Sequence, residues 1–400
     1  MSTGPIDRSE DLLRLRDEGY EVEVANGYLL LSHIPYVSAA GLVELGTLAS
    51  RLELASDRTS RPRDHVVLWA GKFPCSSKGL RLEPLVNNAN IHEEIRPGLV
   101  ATHSFSQKPE GGYVDYYHKM TAYVRILEGE ACAVDPHVTS RTFPVTRAGD
   151  SAGPFNYVDT ASSRAGIVAL NARLAGGPVA LVGLGGTGSY VLDLVAKTPV
   201  AEIHLFDSDT LLQHNAFRSP GAPSIEDLER KPKKVDWLAS VYSKMRGKVI
   251  PHPYDVNESN LSDLDRMDFV FLCIESGAPK KAIVEHLIRR AIPFVDVGMG
   301  LNVQDGSLGG LLRVTAFTPG FSDHVPRRIS FDADGAPNEY NQNIQVADMN
   351  ALNAVLAVIK WKKMRGFYVD MQREHHTVYG ISTNLLTNEE CSNDPAHDPA

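Results

Sequence analysis

Three glycines placed between two apolar runs constrain the fold of this chain more than any other feature. Gly183, Gly185 and Gly188 follow an apolar run at residues 179–182 in G-x-G-x-x-G spacing. A helical apolar pattern comes next, and a second apolar run then ends at Asp207. In such a unit the first glycine makes a tight turn, the second lets backbone N–H groups approach a phosphate, and the third allows close helix–strand packing. The spacing therefore predicts a phosphate-binding βαβ unit, in which the helix N-terminus adds partial positive charge at the phosphate.

The alternation of strand and helix patterns continues beyond this unit. It predicts an α/β fold with a doubly wound, Rossmann-like and mainly parallel sheet. Residues 308–318 predict one or two added antiparallel strands. The predicted strands are residues 179–183, 202–206, 249–253, 268–274 and 293–297, and the predicted helices are residues 188–197, 233–246 and 279–291.

A long amphipathic helix is predicted at residues 344–364, and its basic end suits a helix C-terminus. Its apolar residues predict packing against the core, with dimerisation through this helix as the alternative. The predicted apolar face consists of Met349, Leu352, Val355, Leu356 and Ile359.

Charged residues follow the second predicted strand at short intervals. Asp207, Asp209, Asn215 and Arg218 lie in one polar loop, and Lys233 opens the next predicted helix. A hydride-transfer site has no use for an arginine and a lysine at these places, which argues against an NAD-dependent oxidoreductase. A site for ATP needs them, because charge on the β- and γ-phosphates must be neutralised.

At these residues the chain resembles a known family, the ThiF/MoeB/E1-like adenylyltransferases that activate ubiquitin-like proteins. The matching segments are GLGGTGS, DSDTLLQHNAFRS and RKPK, in the family's order and spacing. The resemblance implies ATP- and Mg²⁺-dependent adenylation of the C-terminal carboxylate of a ubiquitin-like protein, in a bacterial conjugation pathway linked to phage defence. Sulfur-carrier activation and an inactive binding scaffold with the same fold are the alternatives.

The resemblance also implies roles for individual residues. Arg218 holds phosphate oxygens, and Lys233 offsets charge as pyrophosphate leaves, with Lys231 and Lys234 as alternative lysines. Arg164 matches an arginine that reaches ATP, from the partner subunit in dimeric relatives. The implied ATP-binding residues are Gly183, Gly185, Gly186, Gly188, Asp207, Asp209, Asn215, Arg218 and Lys233.

Two positions depart from the family pattern. Glu275 stands where the family has the aspartate that binds Mg²⁺, and Ser219 stands where the family has glutamine. Mg²⁺ accepts a glutamate carboxylate. The extra methylene shifts the metal by about 1 Å, an error that can cost about 100-fold in rate. Ser276 and Lys280 lie near enough in sequence to adjust this pocket, whereas Asp296 is expected to be a structural cap.

The acceptor of the activated carboxylate is not a cysteine of the usual segment, because the chain has no cysteine between residues 274 and 390. Ser322, with His324 as a nearby base, is a candidate nucleophile; the alternative is a polar loop without chemistry. Cys273 is expected to be core, and Cys391 lies in the predicted tail. Adenylation alone, or a thiol supplied by a partner, are the other interpretations.

Three regions are predicted along the chain. Residues 1–150 form an N-terminal α+β recognition domain, residues 160–370 the adenylation domain, and residues 384–400 a disordered tail. The first region is an E2-like or other ubiquitin-pathway module, and it resembles N-terminal extensions of some bacterial E1-like proteins. Tyr113, Tyr116 and Tyr117 are candidate anchors for a protein tail, with a tyrosine-rich core corner as the alternative.

Composition limits the partners and the compartment. A net charge of −9 without a basic stripe argues against nucleic acid. No apolar run reaches the ~18 residues that a membrane span needs. The four cysteines lack CxxC spacing, which predicts a reducing cytoplasm and no structural zinc. By resemblance, a homodimer and an E2-like partner are expected.

Overall fold

The computed structural model describes residues 4–148, 153–275, 277–331 and 344–392. The described residues fall into two compact units, within Met1–Gly149 plus Asp159–Gly166 and within Asp150–Val158 plus Ile167–Ala400. The predicted boundaries need one correction. The helix Thr160–Arg164 was assigned to the adenylation domain, but it groups with the N-terminal unit because it packs against the helix Glu10–Asp17 of that unit.

The N-terminal unit is an antiparallel sheet with helices. Six strands form the main sheet in the order β1-β2-β3-β6-β10-β7, and two small hairpins pair β4 with β5 and β8 with β9. The long helix α3 packs on β2. The elements are α1 (Gly4–Arg8), α2 (Glu10–Asp17), β1 (Glu21–Ala25), β2 (Tyr28–Val37), β3 (Val43–Arg51), β4 (Leu54–Ala55), β5 (Arg58–Thr59), β6 (Val66–Ala70), β7 (Val86–Asn88), β8 (Glu93–Arg96), β9 (Leu99–Ala101), β10 (His103–Ser106), α3 (Tyr116–Val134) and α4 (Thr160–Arg164).

The tyrosines predicted as surface anchors lie in the core of this unit. Tyr113, Tyr116 and Tyr117 are 7%, 0% and 6% exposed, so the hypothesis that they form a recognition surface is wrong, and the alternative of a tyrosine-rich core is confirmed. Asp115 caps α3 by accepting from the His118 N–H at 2.8 Å. Residues 123–127 belong to α3, because this cap starts the helix upstream of them.

The C-terminal unit alternates strands and helices, as the sequence predicts. Its elements are α5 (Val168–Ala172), β11 (Val179–Val182), α6 (Gly186–Val195), β12 (Ile203–Phe206), α7 (Gln213–Ala216), α8 (Ile225–Arg230), α9 (Lys234–Tyr242), β13 (Val249–His252), a 3-10 turn (Leu261–Leu264), β14 (Phe269–Leu272), α10 (Ala278–Arg289), β15 (Phe294–Gln304), β16 (Ser307–Phe317), α11 (Val325–Arg328), α12 (Ala347–Met364), β17 (His376–Gly380) and β18 (Leu385–Glu389).

Eight strands of this unit form one sheet in the order β13-β12-β11-β14-β15-β16-β17-β18. The first five are parallel, and the last three continue the sheet antiparallel. The predicted α/β class is therefore confirmed. Strand order reverses between β11 and β14, and the crevice outside the carboxyl ends of the strands at such a reversal is where α/β sheets bind ligands. The glycine turn follows β11 at this place.

Helix α12 buries a different face from the predicted one. Val355 and Ile359 are 38% and 36% exposed, while Asn350 and Asn353 are 0% and 1% exposed. The helix packs on α6 and on strands β15 and β16, which confirms that it lies against the core. Because α12 lies close to the glycine turn, its buried side carries small or polar residues. The large apolar residues therefore do not identify the buried face.

The C-terminal segment is not a disordered tail as far as the structure describes it. Leu385–Glu389 forms β18, which pairs with β17 in antiparallel register. The prediction of disorder is therefore wrong for these residues, because backbone pairing orders a segment whose side chains give little apolar pattern. Residues 393–400, the rest of that prediction, lie outside the described residues. In the described part of the chain, no helix is long and apolar enough to cross a membrane.

Candidate active site

The glycine turn between β11 and α6 has the close approaches that its spacing predicts. Gly183 adopts a φ of +89°, and a Cβ there would lie 2.6 Å from the Cys273 carbonyl oxygen. A Cβ on Gly188 would overlap the Gly183 carbonyl oxygen. Gly185 begins α6 without a side-chain cap, and a Cβ there would meet nothing within 4 Å. The N-terminus of α6 is therefore open on the side of Gly185, as an anion site requires.

Asp207 ties the end of β12 to this turn. Its carboxylate accepts from the Leu184 N–H at 2.6 Å and from the Asp209 N–H at 2.9 Å. The side chain is largely buried. A carboxylate oxygen has more than one acceptor site, so these bonds leave capacity for the ribose hydroxyls that the resemblance implies.

Two adjacent lysines at the start of α9 have different surroundings. Lys233 is exposed, and its ammonium donates to the Ser208 carbonyl oxygen at 2.6 Å. Lys234 is buried, with its ammonium 2.6 Å from Asp209 and 3.7 Å from Asp207. The lysine that the motif selects is therefore the accessible one, and the alternative, Lys234, is engaged in an ion pair. Lys231 has a φ of +48° at the end of α8.

Arg218 follows a short helical turn that Asn215 shapes. The Asn215 side chain accepts from the Leu212 N–H at 2.8 Å, and its carbonyl accepts from the Arg218 N–H at 3.1 Å. Arg218 itself is half-buried. Its Nε is shielded from water and meets no hydrogen-bond partner within the described ranges. Asn215 thus orients the loop, and Arg218 carries the donor that suits an anion.

Glu275 lies at the carboxyl end of β14, next to the glycine turn. A Cβ on Gly183 would lie 2.8 Å from Ile274 Cγ2, so the segment that leads to Glu275 contacts the first glycine. Glu275 is exposed. Cys273 packs close to Gly188, and burial raises the pKa of its thiol to about 12, which fits its expected core role. Ser276, the neighbour predicted to adjust this pocket, lies outside the described residues.

A cluster of paired charged side chains joins helix α10 to strands β15 and β16. The Asp296 carboxylate lies 2.5 Å from the Lys280 ammonium and accepts from Arg313 at 2.7 Å. Asp296 is fully buried. It is the third residue of β15 and belongs to this cluster, so the prediction that it caps the end of its strand is wrong. The sequence did not predict the pairing with Arg313, because it depends on the register of two strands. Gly298 and Arg313 are opposite each other in the β15–β16 ladder.

The remaining predicted residues lie elsewhere. Arg164 belongs to the N-terminal unit, where its guanidinium stands 6.0 Å from the centre of the Phe143 ring. Ser322 accepts from the Val325 N–H through its carbonyl oxygen at 3.0 Å. His324 is 1% exposed and donates from Nε2 to the Ala316 carbonyl oxygen at 2.8 Å. The roles proposed for Arg164 and Ser322 stay predictions.

The residues at the carboxyl edge have the chemistry of a site for a nucleoside triphosphate. An open helix N-terminus, an unpartnered buried Nε of Arg218 and the exposed ammonium of Lys233 supply donors for phosphate oxygens. No group of three or more histidine, cysteine, aspartate or glutamate side chains that could hold a metal occurs among the described residues. Mg²⁺ at phosphate sites commonly has only one or two protein carboxylates, and Glu275 is the candidate.

Comparison with known proteins gives the class of the C-terminal unit. The profile of the ThiF family matches residues 166–377, more than half of the chain. The chain therefore belongs to the ThiF family, which supports a nucleotide-binding adenylyltransferase. A second profile, described as a domain of unknown function (DUF6791), matches residues 10–160. No curated protein is significantly similar to the chain.

Several solved structures share part of the fold. PaaA has 17% sequence identity and a TM-score of 0.43, covering 56% of this chain and 66% of its own, which is just under two thirds. MccB from E. coli with ATP has 18% identity and a TM-score of 0.42, covering 58% and 68%. MccB, a microcin C7 biosynthetic enzyme, in complex with N-formylated MccA has 17% identity and a TM-score of 0.43, covering 58% and 69%. At this distance no argument about function rests on them.

Proposed function

We propose that this protein adenylates the C-terminal carboxylate of a ubiquitin-like protein, with ATP and Mg²⁺, in a bacterial conjugation pathway in the cytoplasm. One observation carries the proposal. The open N-terminus of α6, the unpartnered Arg218 Nε and the exposed Lys233 occur together with Asp207 around the reversal of strand order. ThiF family membership agrees with adenylation of a peptide or protein carboxylate.

The reaction transfers an adenylyl group. A carboxylate oxygen of the substrate attacks the α-phosphorus of ATP, the bond from this phosphorus to the bridging oxygen breaks, and pyrophosphate leaves with both electrons of that bond. The acyl-adenylate remains. Arg218 and Lys233 neutralise the charge that develops on the departing phosphates, and Asp207 accepts from the ribose. Such catalysis consists mainly of positioning and charge stabilisation.

Glu275 would hold Mg²⁺ in this proposal. The ion, when bound, neutralises phosphate charge and orients the leaving group. Glu275 lies three residues after the end of β14, and a Cβ on Gly183 would meet the two residues that precede it. A glutamate at this place serves the same purpose as the family's aspartate with a longer reach.

Pyrophosphate exchange into ATP, measured with and without a candidate ubiquitin-like protein, tests the proposal. We expect exchange that requires the substrate's C-terminal carboxylate and falls about 100-fold in Lys233→Ala. Lys231→Asn is the matched control, because it removes a nearby charge while asparagine tolerates the left-handed φ of +48° at this position. Exchange that is unaffected by Lys233→Ala, or absent with substrates encoded beside this protein, would contradict the proposal.

The acyl group of the adenylate has two candidate acceptors, a residue of this chain and a partner's thiol. We infer that Ser322 accepts the acyl group as an oxyester, because no cysteine occurs between residues 274 and 390. Its hydroxyl oxygen attacks the acyl carbon of the adenylate and gives up its proton, the bond from that carbon to the phosphate oxygen breaks, and AMP leaves with both electrons of that bond. An adduct that survives thiol reductants, is cleaved by hydroxide and disappears in Ser322→Ala would support this step. Ser330→Ala is the control. An adduct that persists in Ser322→Ala, or a substrate thiocarboxylate as product, would favour a partner or the sulfur-carrier alternative.

The proposal includes a homodimer and an E2-like protein that receives the activated substrate. Exposed apolar side chains beside Arg218 are consistent with a dimer: Phe217 is 78% and Ile225 is 72% exposed, and both line one groove with Leu212. Sedimentation velocity should show a dimer that Phe217→Glu converts to a monomer. Met371→Glu, at a side chain that is 89% exposed, is the control.

The second candidate function is a binding scaffold without catalysis. The glutamate at position 275 and the missing cysteine favour it, whereas the retained Arg218, Lys233 and glycine turn oppose it. Nucleotide binding without substrate-dependent exchange would distinguish this function from the enzyme.

A further inference from the structure

One buried amide on α12 joins two parts of the candidate site that are far apart in sequence. Asn350 Oδ1 accepts from the Thr187 hydroxyl in the glycine turn at 3.0 Å. Asn350 Nδ2 donates to the Arg218 carbonyl oxygen at 3.3 Å. Asn350 is 0% exposed, so water cannot replace either bond. Both ends of the amide therefore depend on the positions of these two segments.

The packing around Asn350 is equally specific. A Cβ on Gly186 would overlap the Asn350 amide. Only glycine at this position therefore allows the turn to lie so close to α12. Gly186 is thus required by the contact with α12. A buried amide that loses a hydrogen-bond partner destabilises the contact, because water cannot take the partner's place. Shifting either segment would therefore break a bond that nothing nearby replaces.

The backbone and the side chain of Arg218 have different roles. Its carbonyl is fixed by Asn350, and its amide N–H is fixed by Asn215. Its Nε has no partner within the described residues. The backbone of Arg218 is thus anchored from two sides, while its guanidinium retains a donor for an anion. The turn that supplies the helix N-terminus is anchored by the same Asn350 side chain.

We propose that Asn350 is a positioning residue that sets the distance between the glycine turn and Arg218, so that both contact the phosphates of one nucleotide. This inference rests on the proposed ATP site and names a residue outside the motifs that define it. Asn350 acts through Arg218 and does not itself touch the nucleotide. Its loss should therefore matter less once the Arg218 side chain is removed.

Binding of a fluorescent ATP analogue, measured with the full chain and without any protein substrate, tests this dependence. Asn350→Ala should raise the Kd about tenfold, the effect of misaligning one hydrogen bond to a charged group. In an Arg218→Ala background the same change should raise the Kd less than about threefold. If the fold increases in Kd of the two single variants multiply in the double variant, the inference is overturned, because Asn350 would then act independently of Arg218.

Asn353→Ala is the matched control for folding and packing. Asn353 lies one turn further along α12, is 1% exposed, and donates to the Gly298 carbonyl oxygen at 3.1 Å. Within the described residues it makes no hydrogen bond to the glycine turn or to Arg218, so its variant should bind the analogue as the wild type does. An equal loss of affinity in both asparagine variants would contradict a specific role for Asn350.

A second variant covers the case in which Asn350→Ala does not fold. Thr187→Val removes the hydroxyl that donates to Asn350 and keeps the shape of the side chain. We expect a severalfold rise in Kd that becomes smaller in the Arg218→Ala background. A rise of equal size in both backgrounds would overturn the inference. If the wild-type protein does not bind the analogue at all, the proposed ATP site fails first and the inference fails with it.

Discussion

The ammonium group of Lys234 lies 2.6 Å from a carboxylate oxygen of Asp209, and the lysine is buried while the aspartate side chain is 68% exposed. The same ammonium is 3.7 Å from the largely buried Asp207. A lysine in this position compensates two carboxylates of the nucleotide-binding loop. Its neighbour Lys233 stays outside this pairing and contacts a carbonyl oxygen.

The two lysines should therefore respond differently to substitution. Lys234→Ala should lower the free energy of unfolding by about 2 kcal/mol, because it leaves Asp207 buried without its cation. Lys233→Ala should change that free energy by less than about 0.5 kcal/mol, as for other exposed positions. Urea unfolding followed by circular dichroism measures both. Equal stability of the two variants would show that the Lys234 ion pair contributes nothing.

The metal role of Glu275 predicts a shifted requirement for Mg²⁺. Glu275→Gln should lower pyrophosphate exchange about 100-fold, the scale of a misplaced reacting group, and should raise the Mg²⁺ concentration for half-maximal rate. Glu275→Asp should retain most of the rate because it keeps the carboxylate. A Mg²⁺ titration of exchange decides the point, with the exposed Glu258→Gln as control. An unchanged titration in Glu275→Gln would remove Glu275 from the metal site.

Arg246 should be a major determinant of stability in the C-terminal unit. It is fully buried, and its guanidinium donates to the carbonyl oxygens of Thr198 at 3.0 Å, Ala196 at 3.3 Å and Val200. Burial lowers the pKa of Arg246 to about 10. Arg246→Met should lower the free energy of unfolding by about 3 kcal/mol, because several buried carbonyls lose their donor.

Urea unfolding of Arg246→Met and of Arg289→Met provides the comparison. Arg289 is exposed, so its variant controls for the loss of an arginine from the same unit. We expect only the first variant to shift the midpoint. Midpoints that coincide would show that the carbonyls find other donors.

Buried histidines near β17 predict a loss of stability in weak acid. Burial, with Lys360 and His324 nearby, lowers the pKa of His375 to about 4, whereas an unfolded histidine titrates near 6.5. As pH falls from 6.5 towards 4, the unfolded chain gains a proton that the folded chain does not bind. The contribution of His375 to the free energy of unfolding is therefore fully present above pH 6.5. It falls on acidification, by about 2 kcal/mol at pH 5.

Unfolding of the wild type and of His375→Gln at pH 7.5 and pH 5 measures this contribution. The variant should lose less stability between these two values. Part of the loss should persist in the variant, because burial also lowers the pKa of His376 to about 4. The same pH dependence in both proteins would exclude His375 as a source.

The sequence predicted the parallel half of the C-terminal sheet well, and the reason is physical. Strands β11, β12 and β14 are buried along their whole length, so they appear as unbroken apolar runs. The glycine turn is recognisable because close approach of backbone excludes any side chain, which fixes Gly183 and Gly188. Short-range sterics of this kind are visible in one sequence.

Other features could not be predicted because they depend on partners distant in sequence. The buried face of α12 carries Asn350 and Asn353, which periodicity assigns to the surface. The burial of Tyr116 and Tyr117 follows from the packing of α3, and Tyr116 accepts from the Glu53 N–H at 2.7 Å, 63 residues away. The pairing of Lys234, rather than Lys233, with Asp209 depends on the geometry at the start of α9.

Strand β18 has a practical consequence for any shortened version of this protein. Arg328 of α11 forms ion pairs with Glu389 and, at 2.8 Å, with Glu390. A chain cut before Leu385 would lose both carboxylates and would leave the N–H and C=O groups of β17 that face β18 without partners. Bare strand edges promote association between molecules. Inactivity of such a truncated protein would therefore report self-association and a loosened α11, and would carry no information about the chemistry of the removed residues.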